Sequence, residues 1–251
     1  MRCEPRGRQV SGDSSAGVDR AAEIAAGLSE VRTRIDRACA AADRPAGSVQ
    51  LIVVTKTFPA SDVRILHDLG CSEVAENKDQ EARAKAAELA DTAPALRWHM
   101  IGQVQRNKAR SVAAWADVVE SVDRLPLAEA LSAGAVAANR SIEILLQVSL
   151  DPGEAAGRGG VRPADVPDLA ARVAALPGLA LRGVMGVAPF PGDPDAAFGL
   201  LESVGRRLET VAPGADRISA GMSGDLEHAI RHGATHVRIG GAILGKRAAV
   251  G

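Results

Sequence analysis

The sequence predicts an α/β chain closed into an eight-stranded parallel (β/α)8 barrel, with one extra helix in front. Three observations predict it. Eight short apolar runs, many of them β-branched, alternate with eight helical segments, the pattern of parallel strands joined by helical crossovers. The 251 residues suffice for eight such units around one substantial core. No connection is long enough to serve as a linker to a second domain. An open, doubly wound sheet has the same alternation and stands as the alternative, because short strands are easily miscounted.

The elements follow in order. Met1 to Gly17 is rich in Gly, Ser and charge and reads as a disordered tail, so the single domain is expected over 18–251. Val18 to Ala41 is helical, with Ile24, Leu28, Val31 and Ile35 at helical spacing. Val49 to Val54 is a buried strand running into Thr55-Lys56-Thr57-Phe58-Pro59. A helix over Asp62 to Leu69 stops at Gly70. A short strand at Glu73 to Ala75 precedes a helix over Lys78 to Ala90. Arg97 to Ile101 is a strand, Val104 to Ala113 a helix, and Asp117 to Glu120 a strand. Arg124 to Ala138 is helical, and Ile142 to Leu150 is the strongest strand. The loop Asp151 to Arg162 leads to a helix over Pro163 to Ala175. Leu179 to Val187 is a strand, and Asp195 to Val211 a helix. A strand at Asp216 to Ser219, a short helix with Leu226, Ala229 and Ile230 on one face, a strand over Ala234 to Gly240 and a last short helix complete the chain.

Composition narrows the function classes. A formal net charge of -1 gives no global field favouring nucleic acid or an anionic membrane. The N-terminal stretch lacks the apolar segment of a secretory signal, and no run is long enough to span a membrane. Cys3, Cys39 and Cys71 are too few and scattered for a disulfide framework or a Cys-rich metal site. A cytoplasmic protein is the expectation. Aromatic content is 2% and tyrosine is absent, which argues against a stacking platform for single strands and removes any mechanism that needs a phenol.

The stretch Ile218 to Arg247 carries the most chemistry. Two strand-to-helix junctions, Ala220-Gly221-Met222-Ser223-Gly224 and Gly240-Gly241, expose unpaired helical N–H groups of the kind that hold a phosphate. Arg238 lies on the opposite strand face from Val237 and Ile239. Taken alone, these read more readily as two capping turns and an arginine in an ion pair. Lys56 shares a strand face with Ile52 and Val54, so its amine is costly to desolvate. Burial of that kind lowers a lysine pKa and frees the amine to attack an aldehyde, whereas a lone lysine at a strand end usually snorkels to water. If the barrel closes, the first strand neighbours the eighth, and Lys56 faces the phosphate turns.

Taken together, these pieces resemble the pyridoxal-phosphate homeostasis proteins, single-domain relatives of the barrel of alanine racemase. The matching segments are Val53-Val54-Thr55-Lys56-Thr57, Ala75-Glu76-Asn77, Arg97 to Lys108, Leu181-Arg182-Gly183-Val184-Met185, Gly221-Met222-Ser223-Gly224-Asp225 and Val237-Arg238-Ile239-Gly240-Gly241. No one of them is specific, but their order is, and they span Ala21 to Arg247. The resemblance implies a barrel of the alanine racemase N-terminal type that holds pyridoxal 5'-phosphate as a Schiff base on Lys56. It implies phosphate ligands at Ser223, Gly240 and Gly241, with Met222 in the same turn. Arg238 is implied opposite the pyridine nitrogen and Asn77 beside the ring or lysine. His99 falls near the pocket, where a satisfied structural histidine is an equal reading. Ala75 stands where the family usually has glycine, Lys78 where it often has tyrosine, and Gly241 where threonine is frequent. The loop Gly157-Arg158-Gly159-Gly160 carries arginine where lysine is common.

The family's role is to keep cellular pyridoxal phosphate in balance, without defined turnover. A carrier, with transient contact to pyridoxal-phosphate-dependent apo-enzymes as its macromolecular partners, is therefore expected rather than an enzyme. The alternatives are an amino-acid racemase or, without the cofactor, a Schiff-base aldolase. A two-base racemase of this type wants a tyrosine opposite the lysine and a second domain to bring it, and an arginine at the ring nitrogen makes the ring a poorer electron sink. His228, His232 and His236 read as ordinary histidines rather than a metal site. Arg106, Lys108 and Arg110 read as a solvated patch, and Asp193 and Asp195 as turn residues. A closed barrel has no sheet edge that forces association, so a monomer is expected.

Overall fold

The structure, a computed structural model, describes residues 13–151 and 159–245, with side chains from residue 19 onward. The sheet is a closed barrel in sequence order, which excludes the open-sheet alternative. Its strands are β1 (Gln50–Val54), β2 (Glu73–Glu76), β3 (Arg97–Met100), β4 (Val118–Val122), β5 (Ile142–Gln147), β6 (Leu179–Met185), β7 (Arg217–Ser219) and β8 (His236–Ile239). All pairings are parallel, and β1 closes on β8 with Ile52 opposite Arg238 and Val53 opposite Ile239.

Helices cover the outside: α1 (Asp13–Ala41), α2 (Ala60–Asp68), α3 (Asp79–Leu89), α4 (Ala109–Trp115), α5 (Leu125–Ala137), α6 (Val166–Ala174), α7 (Pro194–Val211), α8 (Leu226–Arg231) and α9 (Gly241–Leu244). Helix α1 begins within the stretch expected to be a tail, while residues 1–12 and the loop residues 152–158 lie outside the described residues. Three expected boundaries shift. The helix expected from Val104 is a 3-10 turn over Arg106–Lys108 followed by α4. Strand β5 stops at Gln147, because Val148 leaves the barrel to bridge Val161. Strand β4 extends to Val122 through a register shift.

Apolar packing lies between the barrel and its helices. Outward residues such as Val74, Met100, Val119, Ile144 and Val184 meet the helices on most of the circumference. A second cluster places Ile24, Leu28, Val31 and Ile35 of α1 against Val53, Val237 and Ile239, so the extra helix covers the seam where β1 meets β8. Inside the barrel, Ile52, Val54 and Ala75 form a small apolar group with Ile101. Much of the remaining interior is charged or polar.

Candidate functional site

Lys56 lies two residues beyond the end of β1 and is half-buried at the C-terminal mouth of the barrel. The turn that carries it is held by a buried cluster on its outer side. Thr57 has a φ of 72°, a costly conformation for a β-branched residue, and its N–H donates to Glu81 Oε1 at 2.5 Å. Lys85 Nζ donates to the Thr55 carbonyl at 2.9 Å and to Glu76 Oε1 and Glu81 Oε1 at 2.7 Å each. Thr55 Oγ1 donates to Glu76 Oε1 at 2.6 Å. The other oxygen of Glu76 is buried without a partner among the described residues. Burial raises the Glu76 pKa, with the bonds from Lys85 and Thr55 opposing it. The strained turn is thus fixed from three sides.

The register sets the second half of the site. Because β8 pairs with β1, the junction after β8 meets the end of β1: a Cβ on Gly240 would lie 2.9 Å from the Val54 carbonyl oxygen. The Gly240 carbonyl accepts from Ile243 and Leu244, which leaves the N–H groups of Gly241 and Ala242 without acceptors inside their short helix. The junction after β7 is shaped by Gly221, whose φ of 92° suits glycine and whose Cβ would meet that of Ala229 at 2.7 Å. Asp225 Oδ1 accepts from the Met222 N–H at 2.6 Å, and Met222 itself is 40% exposed at the rim. Ser223 turns its carbonyl outward to Arg34 of α1, which donates from both Nη atoms at 3.2 Å and also binds Glu227. Its hydroxyl has no partner among the described residues. Cβ atoms on Gly224 and Gly241 would meet nothing within 4 Å, so both glycines border open space.

Asn77 follows β2 and is half-buried. By register it lies beside Lys56, since Val54 pairs with Ala75. Gly102 lies against it so closely that any Cβ there would overlap the Asn77 carbonyl. Beyond it a cavity of ≈ 270 Å³ is bordered by Ile101, Gln103, Gln147 and Ser149. Ala75, in the position where glycine was expected, packs its methyl with Ile52, Val54 and Ile101.

Arg238 lies inside the barrel and is 5% exposed. Its Nη1 donates to Ser219 Oγ at 2.6 Å and its Nη2 to the Gly186 carbonyl at 2.9 Å, while Glu120 Oε2 stands 3.7 Å from Nη1. His99 lies beneath this group, 2% exposed, with Nδ1 2.7 Å from Glu120 Oε1 and Nε2 on Glu73. Burial alone would lower the His99 pKa, but the hydrogen bonds that the ring donates to Glu120 and Glu73 outweigh it and hold the ring up to about 9. Burial would raise the Glu120 pKa, yet His99, Arg238 and Ser219 bring it to about 2. At the opposite mouth Arg97, Arg182 and Arg217 converge on Glu143.

Other sequence candidates fall elsewhere. His228 and His232 share Asp195 at 2.9 and 3.0 Å, whereas His236 is on β8, bonded to Thr235 Oγ1. Asp193 caps α7, while Asp195 is more than a turn residue, since it anchors α8. Arg106, Lys108 and Arg110 are exposed. Sequence reading missed Arg34, Lys85, Glu81, Glu73, Glu120 and Ser219 as contributors. For the last three a signal existed: Glu73, His99, Glu120, Ser219 and Arg238 sit at inward positions of apolar strands, where a charge needs a partner across the barrel.

Residues 27–248 match the family model described as the N-terminal domain of alanine racemase. The pyridoxal phosphate homeostasis protein of Mycobacterium tuberculosis is 42% identical over 253 residues, covering 95% of this chain and 98% of its own. Among solved structures, a protein of unknown function from Bifidobacterium adolescentis superposes with a TM-score of 0.84 at 32% identity, over 94% of this chain and 98% of that one. PipY of Synechococcus elongatus with PLP bound gives a TM-score of 0.76 at 35% identity, over 88% of this chain and 100% of that one.

Proposed function

The chain belongs to the alanine racemase N-terminal domain family and within it to the pyridoxal phosphate homeostasis proteins, and from that membership we propose that it binds pyridoxal 5'-phosphate on Lys56 and buffers or delivers it without robust turnover. The observation that carries this reading is the seam between β1 and β8. It sets the turn that carries Lys56 against the glycine junction after β8, with Arg238 buried on that same strand.

The residues fit the cofactor. Open space over Gly224 and Gly241 suits a phosphate, with the Ser223 hydroxyl and the adjacent N–H groups as donors. Lys56 would hold the molecule covalently through Nζ, Asn77 would lie beside it, and Met222 would border the rim. Arg238 would face the ring nitrogen as a donor only, since a guanidinium stays charged and accepts no proton. When bound, the cofactor supplies an aldehyde carbon to the lysine and an aromatic ring able to spread negative charge.

Racemisation requires a proton to leave one face of Cα and return to the other. Lys56 serves one face, and the chain has no tyrosine for the second. Release to an apo-enzyme, during transient contact by a monomer, is the exit that this arrangement favours. The test is to incubate the loaded protein with L-alanine and other L-amino acids in deuterated water, and separately with an apo-enzyme. Cofactor transfer without deuterium at Cα is the expected result. Catalytic deuterium incorporation with D-isomer accumulation, both lost in Lys56→Ala, would overturn the carrier reading in favour of a racemase.

A further inference from the structure

The barrel interior carries side chains that alternate in charge from one mouth toward the other. Arg97 Nη1 lies 3.5 Å from Glu73 Oε1, Glu73 binds His99 Nε2, and His99 Nδ1 lies 2.7 Å from Glu120 Oε1. Glu120 Oε2 accepts from Ser219 Oγ at 2.6 Å, and the same Oγ accepts from Arg238 Nη1 at 2.6 Å. Five charges, from strands β3, β2, β3, β4 and β8, thus run in the order plus, minus, plus, minus, plus. His99 and Glu120 are at most 2% exposed, so water does little to screen them.

Geometry and the ionisation of its two partners together fix the protonation state of the histidine. A neutral imidazole has one donor and one acceptor nitrogen, and an ionised carboxylate only accepts. Against burial, Glu73 and Glu120 are both held below the ordinary carboxylate range by their bonds to His99, and with an ionised carboxylate on each ring nitrogen both nitrogens must donate. The ring is therefore an imidazolium, and two buried carboxylates share its charge.

We propose that His99 and Glu120 are positioning residues for Arg238: they lock its guanidinium against Ser219 and Gly186 and set the positive charge that it presents to the ring of the bound cofactor. The inference rests on the cofactor reading above and gives His99 a role that involves no contact with the cofactor. Glu120 partly neutralises Arg238, and the His99 imidazolium in turn draws on Glu120. Removing Glu120 leaves Arg238 more positive, whereas removing His99 leaves Glu120 more fully available to neutralise it. The two losses act with opposite sign. Other charged or titratable groups around this line are His236 on β8, Arg217 on β7, Glu143 on β5 and Asp225 after β7. His236 is held neutral by burial, with a pKa of about 4, so it adds no charge at neutral pH.

The experiment loads the wild-type chain, Glu120→Gln and His99→Gln with pyridoxal 5'-phosphate and follows the bound cofactor's visible band against pH. The wild type is also labelled with ¹⁵N-histidine and examined without cofactor. Glu120→Gln should move the midpoint of the band's titration down by roughly one pH unit and His99→Gln should move it up, since one unit corresponds to a modest change in local charge. A purely structural role would lower melting temperature and affinity while leaving the midpoints alone, or move both the same way, and either result would overturn the proposal. The wild-type spectrum should show both His99 ring nitrogens protonated at pH 7. A neutral tautomer there overturns the proposal even if neither variant folds. Failure of the wild type to take up cofactor on Lys56 overturns the carrier reading and this inference together, whereas normal uptake with unshifted midpoints overturns this inference alone.

Discussion

Gly240 packs on Val54 with no room for a side chain: a Cβ would stand 2.9 Å from the Val54 carbonyl oxygen and 3.3 Å from the Val54 Cβ. This contact lies at the end of the β1–β8 pairing that closes the barrel, and it brings the chain that leads to Lys56 against the chain that opens the last helix. Gly241, one residue on, borders open space instead. The two adjacent glycines therefore separate by function. Gly240→Val should cost roughly 1–3 kcal/mol of stability by overpacking the seam. Gly241→Ala should change stability by no more than about 0.5 kcal/mol while weakening cofactor binding. Denaturant melts and cofactor titrations of both variants check this, and equal loss of stability in the two would refute the distinction.

Lys56 should be the site of covalent attachment. Borohydride reduction and peptide mapping should place the pyridoxyl label there, and a label chiefly on Lys78 or Lys108 would refute the assignment. Lys56→Ala should keep the fold and lose the bound cofactor's visible band. Lys85→Met should behave differently. It strips buried Glu76 and part-buried Glu81 of their cation and removes a donor to the Thr55 carbonyl, a change of the kind that costs about 3–5 kcal/mol. Its melting temperature should fall well below that of Lys56→Ala.

Ser223→Ala should weaken cofactor binding by about 1–3 kcal/mol, the range for a charge-assisted donor, with little change in melting temperature, because the hydroxyl makes no bond among the described residues. Arg34→Ala removes the anchor of the same turn. Its ion pair with Glu227 is 31% and 44% exposed and worth at most about 1 kcal/mol, so the affinity loss should follow from a looser turn. Cofactor titration of the two variants and of their combination checks this. Independent, additive losses would mean that Arg34 does not act through Ser223.

Stability should peak near pH 6.5, the ordinary histidine value. The His99 pKa is raised to about 9, so its contribution is complete below 6.5 and is lost as pH climbs toward 9. His236 is pushed down to about 4 by burial. The unfolded chain then takes up that proton first, and stability falls as pH drops from 6.5 toward 4. Glu120 and Glu143, both at about 2, add a further loss from pH 4.5 downward. Melting temperatures across pH 4 to 9 test the sign: a value still rising through pH 8 would contradict the His99 assignment, and His99→Gln should flatten the alkaline limb.

Much of this was legible in the order of residues. Alternating apolar runs and helical segments specified the barrel, because strand and helix periods are local properties of the chain. Glycine at the junctions after β7 and β8 and lysine after β1 marked the proposed site, since turns and strand ends depend on near neighbours. Glu73 and Glu120 within apolar strands were a signal of a polar interior that the sequence reading passed over, and it named none of the pairs. Only the closed barrel decided that His99 bridges Glu73 and Glu120 rather than lining the mouth. Those partners are 26 and 21 residues away in sequence, and strand register, not spacing, brings them together. Arg34 reaches the Ser223 turn across 189 residues for the same reason: which side chain neutralises a buried charge or carbonyl is settled by packing between distant elements, where desolvation makes a missing partner costly.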